Sequence, residues 1–425
     1  MIKKILPAKK ISGSIKVPGD KSISHRAIML CSLADGISKI TGIQTGEDCL
    51  STVNIMRALG IRIDLIDDEA EIHGKGLHGL KEPAEALNAK NSGTAMRLLS
   101  GILAWQPFNS IIIGDDSLSK RPMSRIIRPL SLMGADIQGV WNYPPLKITG
   151  RYLSGIEYEM PIESAQVKSA ILLSGLGATG KTVIYEPIKT RAHTEIMLKQ
   201  LGADISINGN TIILNSCDRL TPAAIKIPGD FSSAAFFIVA ALITPNSQIT
   251  IKNVGISKER IGLLDVLKDM GAKIKITQTQ NTEGEPTADI EVCSSRLTAV
   301  EIDKNVVSRM IDEIPIFTVA AAVANGTSIV KDAEELKVKE SNRIRSMTEG
   351  LSKIGADIKE TKDGFIISGK ELKGGNINSN GDHRVAMSLA IAGLASKEGV
   401  AIENYECTNI SYPSFFEDLK KSIND

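Results

Sequence analysis

Several cations stand at the beginnings of segments that otherwise predict buried helices. The partial positive charge at a helix N-terminus disfavours a cation and favours a bound anion. A lysine or arginine in the first turns of an apolar helix therefore indicates a bound anion. That anion would neutralise both the side chain and the positive end of the helix. The cations placed in this way are Lys21, Arg26, Arg97, Lys168 and Arg384. They predict a site for phosphate or carboxylate groups, whereas plain capping is the favoured interpretation of Asp230 and Ser232 at the fourth helix start.

Two loops add basic residues of the kind that bind oxyanions. Lys120–Arg125 precedes one predicted surface helix, and Lys337–Arg345 begins another. The planar fork of arginine suits phosphate and carboxylate, because it can donate two parallel hydrogen bonds to them. A solvated charge run is the alternative interpretation for either loop taken alone.

Residues 175–182, Gly-Leu-Gly-Ala-Thr-Gly-Lys-Thr, match the nucleotide-binding P-loop pattern in full. A P-loop runs from a strand into a helix, so that the phosphates meet the helix N-terminus. Here the apolar helix Val167–Leu176 is predicted first and the strand Thr182–Tyr185 follows it. Because the order is reversed, we predict a turn and no nucleotide site.

The elements that position these residues repeat along the chain. The hexapeptide Ile15–Asp20 recurs, with one conservative change, as Ile225–Asp230 about half a chain length later. An amphipathic helix that ends at glycine and leads into a strand also recurs, and a glycine there predicts a helix C-cap. A second helix type is apolar nearly all round and is therefore predicted to be buried. Its six copies begin near Lys21, Asn91, Ser164, Asp230, Asp312 and Asp382.

The repeats predict two domains of three units each, with helices inside, sheets outside and an anion-binding cleft between the domains. The last surface helix, Phe415–Ile423, has no strand after it, so we expect the N-terminal segment Ile11–Val17 to supply one. The chain then begins in one domain, crosses to the other and returns. This predicts domain one at residues 19–228 and domain two at residues 1–18 plus 229–425. The hinges fall at residues 15–20 and 225–230.

Composition limits the kinds of partner. The chain has 425 residues and a formal net charge of +1, so a basic face for nucleic acid is not predicted and any cationic site must be local. Five scattered cysteines without a CxxC pair favour a reducing cytoplasm over a disulfide framework or a zinc site. The sequence has no apolar run long enough to predict a membrane span.

These motifs together resemble the 5-enolpyruvylshikimate-3-phosphate synthase family, along essentially the whole chain. The resemblance implies the α/β fold of that family, a two-domain inside-out α/β barrel of six βαβαββ repeats. Ser164–Lys168 and Arg191–Glu195 are more similar to the bacterial class II branch. The segments that carry the resemblance are Gly19–Arg26, Asn91–Arg97, Lys120–Met123, Ser164–Gln166, Lys339–Arg343 and Asp382–Arg384.

The resemblance implies transfer of the enolpyruvyl group of phosphoenolpyruvate to the 5-hydroxyl of shikimate 3-phosphate, with release of phosphate, in aromatic amino-acid biosynthesis. It implies a cytoplasmic monomer without metal or other cofactor and without nucleic-acid or membrane partners. The implied ligands of shikimate 3-phosphate are Lys21, Ser22, Arg26, Ser164, Ala165, Gln166, Arg191, Asp312 and Lys339. Those of phosphoenolpyruvate are Lys21, Gly93, Arg121, Gln166, Arg343 and Arg384.

By the same resemblance, Asp312 is the base on the 5-hydroxyl, Glu340 exchanges the methylene proton and Lys21 assists proton transfer. A helix N-cap is a second role that Asp312 could fill. Ala165 stands where class I members have serine, so only its backbone can contribute. Family members often carry a lysine near Thr408–Pro413, and no ligand is assigned in that segment.

Three alternatives follow from the same scaffold. A transferase that acts on UDP-N-acetylglucosamine would carry a cysteine in the loop Gly114–Arg125, which has none. A non-catalytic anion-binding protein would have lost Asp312, Glu340 or Lys21. An RNA-end-processing enzyme would need a nucleotide site and a catalytic histidine, and the sequence predicts neither.

Overall fold

The structure is a computed structural model that describes residues 1–280 and 284–424. The chain forms two units. The first unit is Gly19–Ile227 together with the described residues Gly284 and Glu285, and the second unit comprises Met1–Pro18 and most of Pro228–Asp425. Each unit has a separate hydrophobic core, one built from residues between Ile23 and Ile227 and the other from residues between Ile5 and Leu419.

Buried and amphipathic helices occur in both units. Those of the first unit are α1 Lys21–Leu33, α2 Glu47–Ala58, α3 Gly93–Leu103, α4 Ser124–Leu132, α5 Ala165–Gly175 and α6 His193–Gln200. Those of the second unit are α7 Phe231–Ile243, α8 Gly262–Asp269, α9 Lys304–Met310, α10 Ile314–Ala322, α11 Arg343–Lys353, α12 His383–Leu394 and α13 Phe415–Ser422.

The apolar helices are buried as predicted, because they have no polar face to present to water. Nearly every residue of α7 and every residue of α12 is buried. The amphipathic helices α2, α4, α6, α8 and α11 each lead through a glycine into a strand. These glycines have φ values between 85° and 97°, the left-handed conformation of a helix C-cap. They are Gly60, Gly134, Gly202, Gly271 and Gly355.

The strands are short and lie on the outside of the helices of their own unit. The strands as far as the second crossing are β1 Ile2–Ile5, β2 Lys10–Ile15, β3 Asp35–Thr41, β4 Arg62–Ile66, β5 Glu69–Lys75, β6 Leu87–Asn88, β7 Asn109–Ile113, β8 Asp136–Val140, β9 Tyr143–Thr149, β10 Leu153–Ser154, β11 Glu157–Glu159, β12 Ala178–Thr179, β13 Thr182–Tyr185, β14 Ile205–Asn208, β15 Thr211–Leu214 and β16 Ala224–Lys226. The remainder are β17 Gln248–Gly255, β18 Lys273–Gln280, β19 Thr287–Cys293, β20 Glu301–Ile302, β21 Thr327–Val330, β22 Asp357–Glu360, β23 Phe365–Ser368, β24 Gly375–Asn378, β25 Val400–Glu403 and β26 Ile423–Asn424.

One topology recurs in the sheets. A parallel pair is followed by one or two antiparallel strands, in the orders β16-β3-β5-β4, β6-β7-β9-β8 and β11-β13-β15-β14 in the first unit. The second unit repeats it as β2-β17-β19-β18, β20-β21-β23-β22 and β24-β25-β1. The six-fold repeat predicted from the sequence is therefore present in the backbone pairing.

The N-terminal segment does not pair where the sequence analysis placed it. The sixth sheet is completed by β1, which pairs antiparallel with β25, and not by Ile11–Val17. Strand β2 instead pairs parallel with β17 in the fourth sheet, as β16 pairs with β3 in the first. The repeated hexapeptide explains this, because it gives β2 and β16 equivalent positions. A short strand, β26, also follows the last helix and pairs with β2.

The P-loop-like residues 175–182 form the turn that was predicted. Helix α5 ends at Gly175, and β12 and β13 follow it, so the segment runs from helix to strand. Gly180 has a φ of 80° and the side chain of Lys181 is exposed. Residues 175–182 are all described, and no helix begins among them that could receive a phosphate.

Candidate functional site

Three buried helices of the first unit begin with a side-chain cap. Asp20 accepts a hydrogen bond from the backbone N–H of Ile23 at 2.9 Å, at the start of α1. Ser92 caps α3 by accepting from Ala95 at 3.1 Å. Ser164 caps α5 by accepting from Val167 at 3.3 Å. Each cap satisfies one backbone donor of its first turn, and the hydroxyl proton of the partly exposed Ser164 stays available to an anion.

Lys21 and Arg26 lie on the first two turns of α1, and both have partners inside the protein. Lys21 Nζ is 2.9 Å from Asp48 Oδ2 at the start of α2. Arg26 is buried and donates to the carbonyl of Ser22 at 2.9 Å and to the hydroxyls of Ser169 and Thr194 at 2.7 Å each. Their ammonium and guanidinium groups are thus held in fixed positions before any substrate binds.

His25, between these two cations, joins the starts of three helices. Its Nδ1 lies 2.7 Å from Thr52 Oγ1 on α2, and its Nε2 lies 3.3 Å from Ser92 Oγ at the α3 cap. Burial lowers the pKa of His25 well below its usual range, and the charges of Lys21 and Arg26 lower it further. The ring is therefore neutral at physiological pH and acts as a hydrogen-bonded spacer.

The N-termini of α3 and α5 meet through Gln166. Its amide oxygen accepts from Arg97 at 2.6 Å, and its amide nitrogen donates to Thr94 at 2.9 Å. Arg121 is buried in the loop before α4 and donates to Asn91 at 2.8 Å. A Cβ added to Gly93 would lie 2.9 Å from Arg97 Nη1 and 3.4 Å from Arg121 Nη1. Gly93 thus leaves space beside two guanidinium groups.

The remaining predicted ligands of the first unit lie at the start of α5 and before α6. Ser22 is on α1, Ala165 is the first residue of α5, and Arg191 is in the loop before the α6 N-cap at Ala192. Lys168 was predicted to face a bound anion, and this is wrong. Its ammonium is neutralised internally by Glu186 at 2.9 Å and Glu195 at 2.6 Å.

In the second unit, carboxylates surround one buried arginine. Arg343 Nε lies 2.8 Å from Asp382 Oδ2, and Nη2 lies 2.6 Å from Glu340 Oε2. Asp312 Oδ1 is 3.7 Å from Nη1. Burial opposes the charge on Arg343, but Asp382 and Glu340 hold its pKa well above the usual value. The two proposed catalytic carboxylates, Asp312 and Glu340, therefore share one permanent cation.

Arg384 stands at the start of α12, next to the segment that carries Asp312. Its Nη1 donates to the carbonyl of Asp312 at 3.2 Å and lies 3.9 Å from Glu313 Oε1. Asp382 caps this helix by accepting from the backbone N–H of Arg384 at 2.9 Å. The suggestion that Asp312 is a helix N-cap is wrong, because α10 begins later, with Glu313 at the cap position.

Lys339 precedes Glu340 in the same loop. Burial lowers the pKa of Lys339, and the charge of Arg343 acts in the same direction, whereas Asp312 opposes both. A cation whose charged form is disfavoured in the free protein gains from an anionic ligand. Lys339 is thus suited to a phosphate or to a hydroxyl that loses its proton.

The sequence identified most of the charged residues of the candidate site. It did not identify the side chains that pair with them inside the protein. Asp48, Glu186 and Glu195 each neutralise a lysine of another helix, and Asn91 accepts from Arg121. Such pairs join residues far apart in sequence, and spacing alone contains no sign of them. For Asp48 the available signal was an acidic residue in the first turn of α2, where the helix dipole favours a negative charge.

Within the part of the chain that the structure describes, one group has the spacing of a metal site. Asp64, Glu71 and His73 lie on β4 and β5, with His73 Nε2 3.4 Å from Asp64 and 3.2 Å from Glu71. Arg62 also pairs with Asp64, at 2.8 Å. The three side chains are partly or fully exposed, and the prediction that activity needs no metal stays a prediction.

The segment that lacks the usual lysine, Thr408–Pro413, forms the end of a 3-10 helix and the turn before α13. Tyr412 there is fully buried and its ring packs on Phe237 and Phe415. This segment therefore contributes to the core of the second unit. Among the described residues, no helix combines the length and the apolar character needed to cross a bilayer.

Repeated units of buried helices and outer sheets, with cations and carboxylates at the helix starts, define the enolpyruvyl transferase class of α/β proteins. The family model described as EPSP synthase (3-phosphoshikimate 1-carboxyvinyltransferase) matches residues 5–419. The chain belongs to this family.

Relatives and solved structures agree with that assignment. The chain is 50% identical over 413 residues to the 3-phosphoshikimate 1-carboxyvinyltransferase of Syntrophomonas wolfei, which covers 96% of each chain. It is 48% identical over 414 residues to the enzyme of that name from Bacillus cytotoxicus, covering 97% and 98%. A solved EPSP synthase from Acinetobacter baumannii superimposes with a TM-score of 0.88 at 44% identity, covering 99% and 98%. The predicted family, fold and enzyme class are confirmed, and the class II branch stays a prediction.

Proposed function

We propose that this chain transfers the enolpyruvyl group of phosphoenolpyruvate to the 5-hydroxyl of shikimate 3-phosphate and releases phosphate. The observation that carries the proposal is the arrangement of Asp312, Glu340 and Asp382 around Arg343, in a member of the EPSP synthase family. Two carboxylates on one fixed cation supply both a base for the acceptor hydroxyl and a proton carrier for the donor.

The acceptor is proposed to bind through its phosphate and carboxylate. In the first unit the contacts would come from Lys21, Ser22, Arg26, Ser164, Gln166 and Arg191 and from the backbone of Ala165. The hydroxyl protons of Ser22 and Ser164 and the N-terminal N–H groups of α5 are suited to phosphate oxygens. In the second unit Lys339 and Asp312 would contact the acceptor.

The donor phosphoenolpyruvate is proposed to bind through guanidinium groups. Arg121 in the first unit is held by Asn91 and Ser117, and Arg343 in the second is held by carboxylates. Prepositioned cations lose little on binding, because their side chains are already ordered. The complete proposed set is Lys21, Gly93, Arg121, Gln166, Arg343 and Arg384.

The proposed chemistry has two proton transfers at carbon and two at oxygen. Asp312 takes the proton of the 5-hydroxyl as its oxygen attacks the enol carbon of phosphoenolpyruvate, while Glu340, which carries a proton at this stage, gives it to the methylene carbon. This addition yields a tetrahedral intermediate. Glu340 then removes a proton from the new methyl group as the C–O bond to phosphate breaks. The electron pair of that bond leaves with the phosphate, which takes up the proton that Asp312 removed from the hydroxyl, and Lys21 assists this proton transfer.

A phosphate-release assay tests the proposal. With phosphoenolpyruvate as donor, shikimate 3-phosphate should support turnover and UDP-N-acetylglucosamine should not. Release with the UDP-sugar alone would establish the sister activity instead. Release with neither acceptor, from protein that binds phosphate, would favour the non-catalytic alternative.

The domain boundaries at 19–228 and 1–18 plus 229–425, the hinges at 15–20 and 225–230, the monomeric state and the cytoplasmic location are part of the same proposal. The boundaries are supported because nearly all of the first unit lies between the two Pro-Gly-Asp segments. Light scattering after size-exclusion chromatography tests the monomer, because a dimer would have twice the mass of 45.6 kDa.

A further inference from the structure

A buried ion cluster lies in the first unit beside the proposed phosphate ligands. Lys168, on the second turn of α5, has a side chain that is only 1% exposed. Its ammonium lies 2.9 Å from Glu186 Oε2 and 2.6 Å from Glu195 Oε1, and both glutamates are buried as well. A buried cation between two carboxylates cannot contact a substrate directly, so any effect it has on binding must pass through the residues it holds.

The cluster fixes both ends of the segment that presents Arg191. Glu186 Oε1 accepts hydrogen bonds from Thr190, at 3.2 Å from its backbone N–H and 2.6 Å from its hydroxyl. Lys168 Nζ donates to the carbonyl of Thr190 at 3.3 Å. The peptide unit before Arg191 is therefore tied to α5. Glu195, four residues later, ties the first turn of α6 to the same ammonium.

The residue next to Lys168 extends the cluster to a second proposed ligand. Ser169 Oγ lies 2.7 Å from Thr194 Oγ1, and both hydroxyls accept from the guanidinium of Arg26 at 2.7 Å. Thr194 directly precedes Glu195. One turn of α5 thus sets the position of Arg26 on α1 and of the loop that carries Arg191.

We propose that Lys168, with Glu186 and Glu195, is a positioning residue that holds Arg191 and Arg26 in the geometry that receives the phosphate of shikimate 3-phosphate. This inference rests on the proposed function for its substrate. Neutralising Lys168 frees the loop before Arg191. The phosphate group of the acceptor is then bound less tightly. The contacts proposed for Arg191 and Arg26 are to the phosphate, and none is assigned to the ring or its hydroxyls.

The experiment compares two acceptors that differ only in the phosphate, shikimate 3-phosphate and shikimate, at saturating phosphoenolpyruvate. Lys168→Met removes the charge and keeps the length of the side chain. We expect its kcat/KM for shikimate 3-phosphate to fall roughly tenfold or more, the scale of one charged hydrogen bond. The kcat/KM for shikimate should change little, so the ratio of the two falls.

Removing one partner of a buried ion pair can prevent folding. The double variant Lys168→Met/Glu195→Gln retains the net charge of the cluster and should give the same change in the ratio. Ser174→Ala is the matched control, because Ser174 is buried on α5 but its hydroxyl donates to Gly101 and does not contact the loop. Its ratio should equal that of the wild type.

Equal losses for both acceptors, or no loss for either, would overturn the positioning role. If the wild type does not turn over shikimate 3-phosphate at all, the proposed function fails separately. In that case, calorimetric titration with inorganic phosphate decides the inference on its own. Weaker phosphate binding by the double variant than by Ser174→Ala supports positioning, and equal binding refutes it.

Discussion

The charged side chains of both candidate clusters are held by the protein as well as by any ligand. Lys21 has Asp48 as its partner, and Arg343 has Asp382 and Glu340. Holding a cation in this way costs part of its attraction for an anion but removes the entropy loss of ordering it on binding. The residue types at these positions could be predicted from helix starts, whereas their partners could not.

Arg384→Ala should raise the KM for phosphoenolpyruvate far more than the KM for shikimate 3-phosphate. Arg384 is proposed to contact only the donor, and one charged hydrogen-bond partner contributes about 1.5–3 kcal/mol. Steady-state kinetics with each substrate varied in turn measures the two effects. Arg151→Ala is a suitable control, since Arg151 forms an exposed ion pair with Asp136 on a sheet surface. Equal increases for both substrates in Arg384→Ala would contradict the assignment.

The lowered pKa of Lys339 predicts that acceptor binding depends on pH. A bound phosphate or alkoxide favours the charged ammonium, so its pKa rises when shikimate 3-phosphate binds. Between the lower free value and the higher bound value, binding takes up a proton, and affinity falls as pH rises through the free value.

Calorimetry in buffers of different ionisation enthalpy measures this proton uptake. At alkaline pH we expect the wild type to take up a proton when shikimate 3-phosphate binds. We expect Lys339→Met to lack this uptake. Uptake of the same size in both proteins would assign it to another group.

At the scale of helices and strands, sequence patterns predicted correctly those features that depend on neighbouring residues. The glycine after each surface helix predicted the left-handed C-cap found at Gly60 and its counterparts. Strand pairing at the N-terminus was assigned wrongly, because Ile2–Ile5 and Val400–Glu403 are distant in sequence and both are short. The correct pairing of β2 with β17 could be predicted only from the two Pro-Gly-Asp hexapeptides. Their similarity makes β2 the counterpart of β16, which pairs with β3.

The pairing of β1 with β25 predicts that Ile5 matters for stability and Ile2 does not. Ile5 is 8% exposed and packs against α12 near Gly393, whereas Ile2 on the same strand is 61% exposed. Ile5→Ala should lower the free energy of unfolding of the second unit by about 2–5 kcal/mol, the usual range for a buried isoleucine. Ile2→Ala is the control and should change it by less than about 0.5 kcal/mol. Denaturant unfolding measures both, and equal effects would show that β1 is not docked.

At the scale of the whole molecule, cations are concentrated locally in the two candidate clusters although the net charge of the chain is only +1. The first cluster is dominated by cations, namely Lys21, Arg26, Arg97, Arg121 and Arg191, and the second combines cations with Asp312, Glu340 and Asp382. Local cations of this number can neutralise two phosphorylated substrates without a metal ion. Activity is therefore expected to survive thorough dialysis against EDTA. Activity lost on chelation and restored by a divalent cation would contradict this, and Asp64→Asn would then show whether the group on β4 and β5 is responsible.

The two separate hydrophobic cores predict that the first unit folds without the second. Its sheets and buried helices are formed within the continuous segment Gly19–Ile227, including the parallel pair of β16 with β3 that closes its first sheet. A fragment of residues 19–227 should show cooperative thermal unfolding by circular dichroism and bind inorganic phosphate. It should not release phosphate from phosphoenolpyruvate, because Asp312 and Glu340 belong to the second unit.

Ending the fragment at residue 220 removes β16 and is expected to lower its midpoint of unfolding. A fragment 19–227 that is disordered, or one as stable without β16 as with it, would show that this unit depends on the rest of the chain.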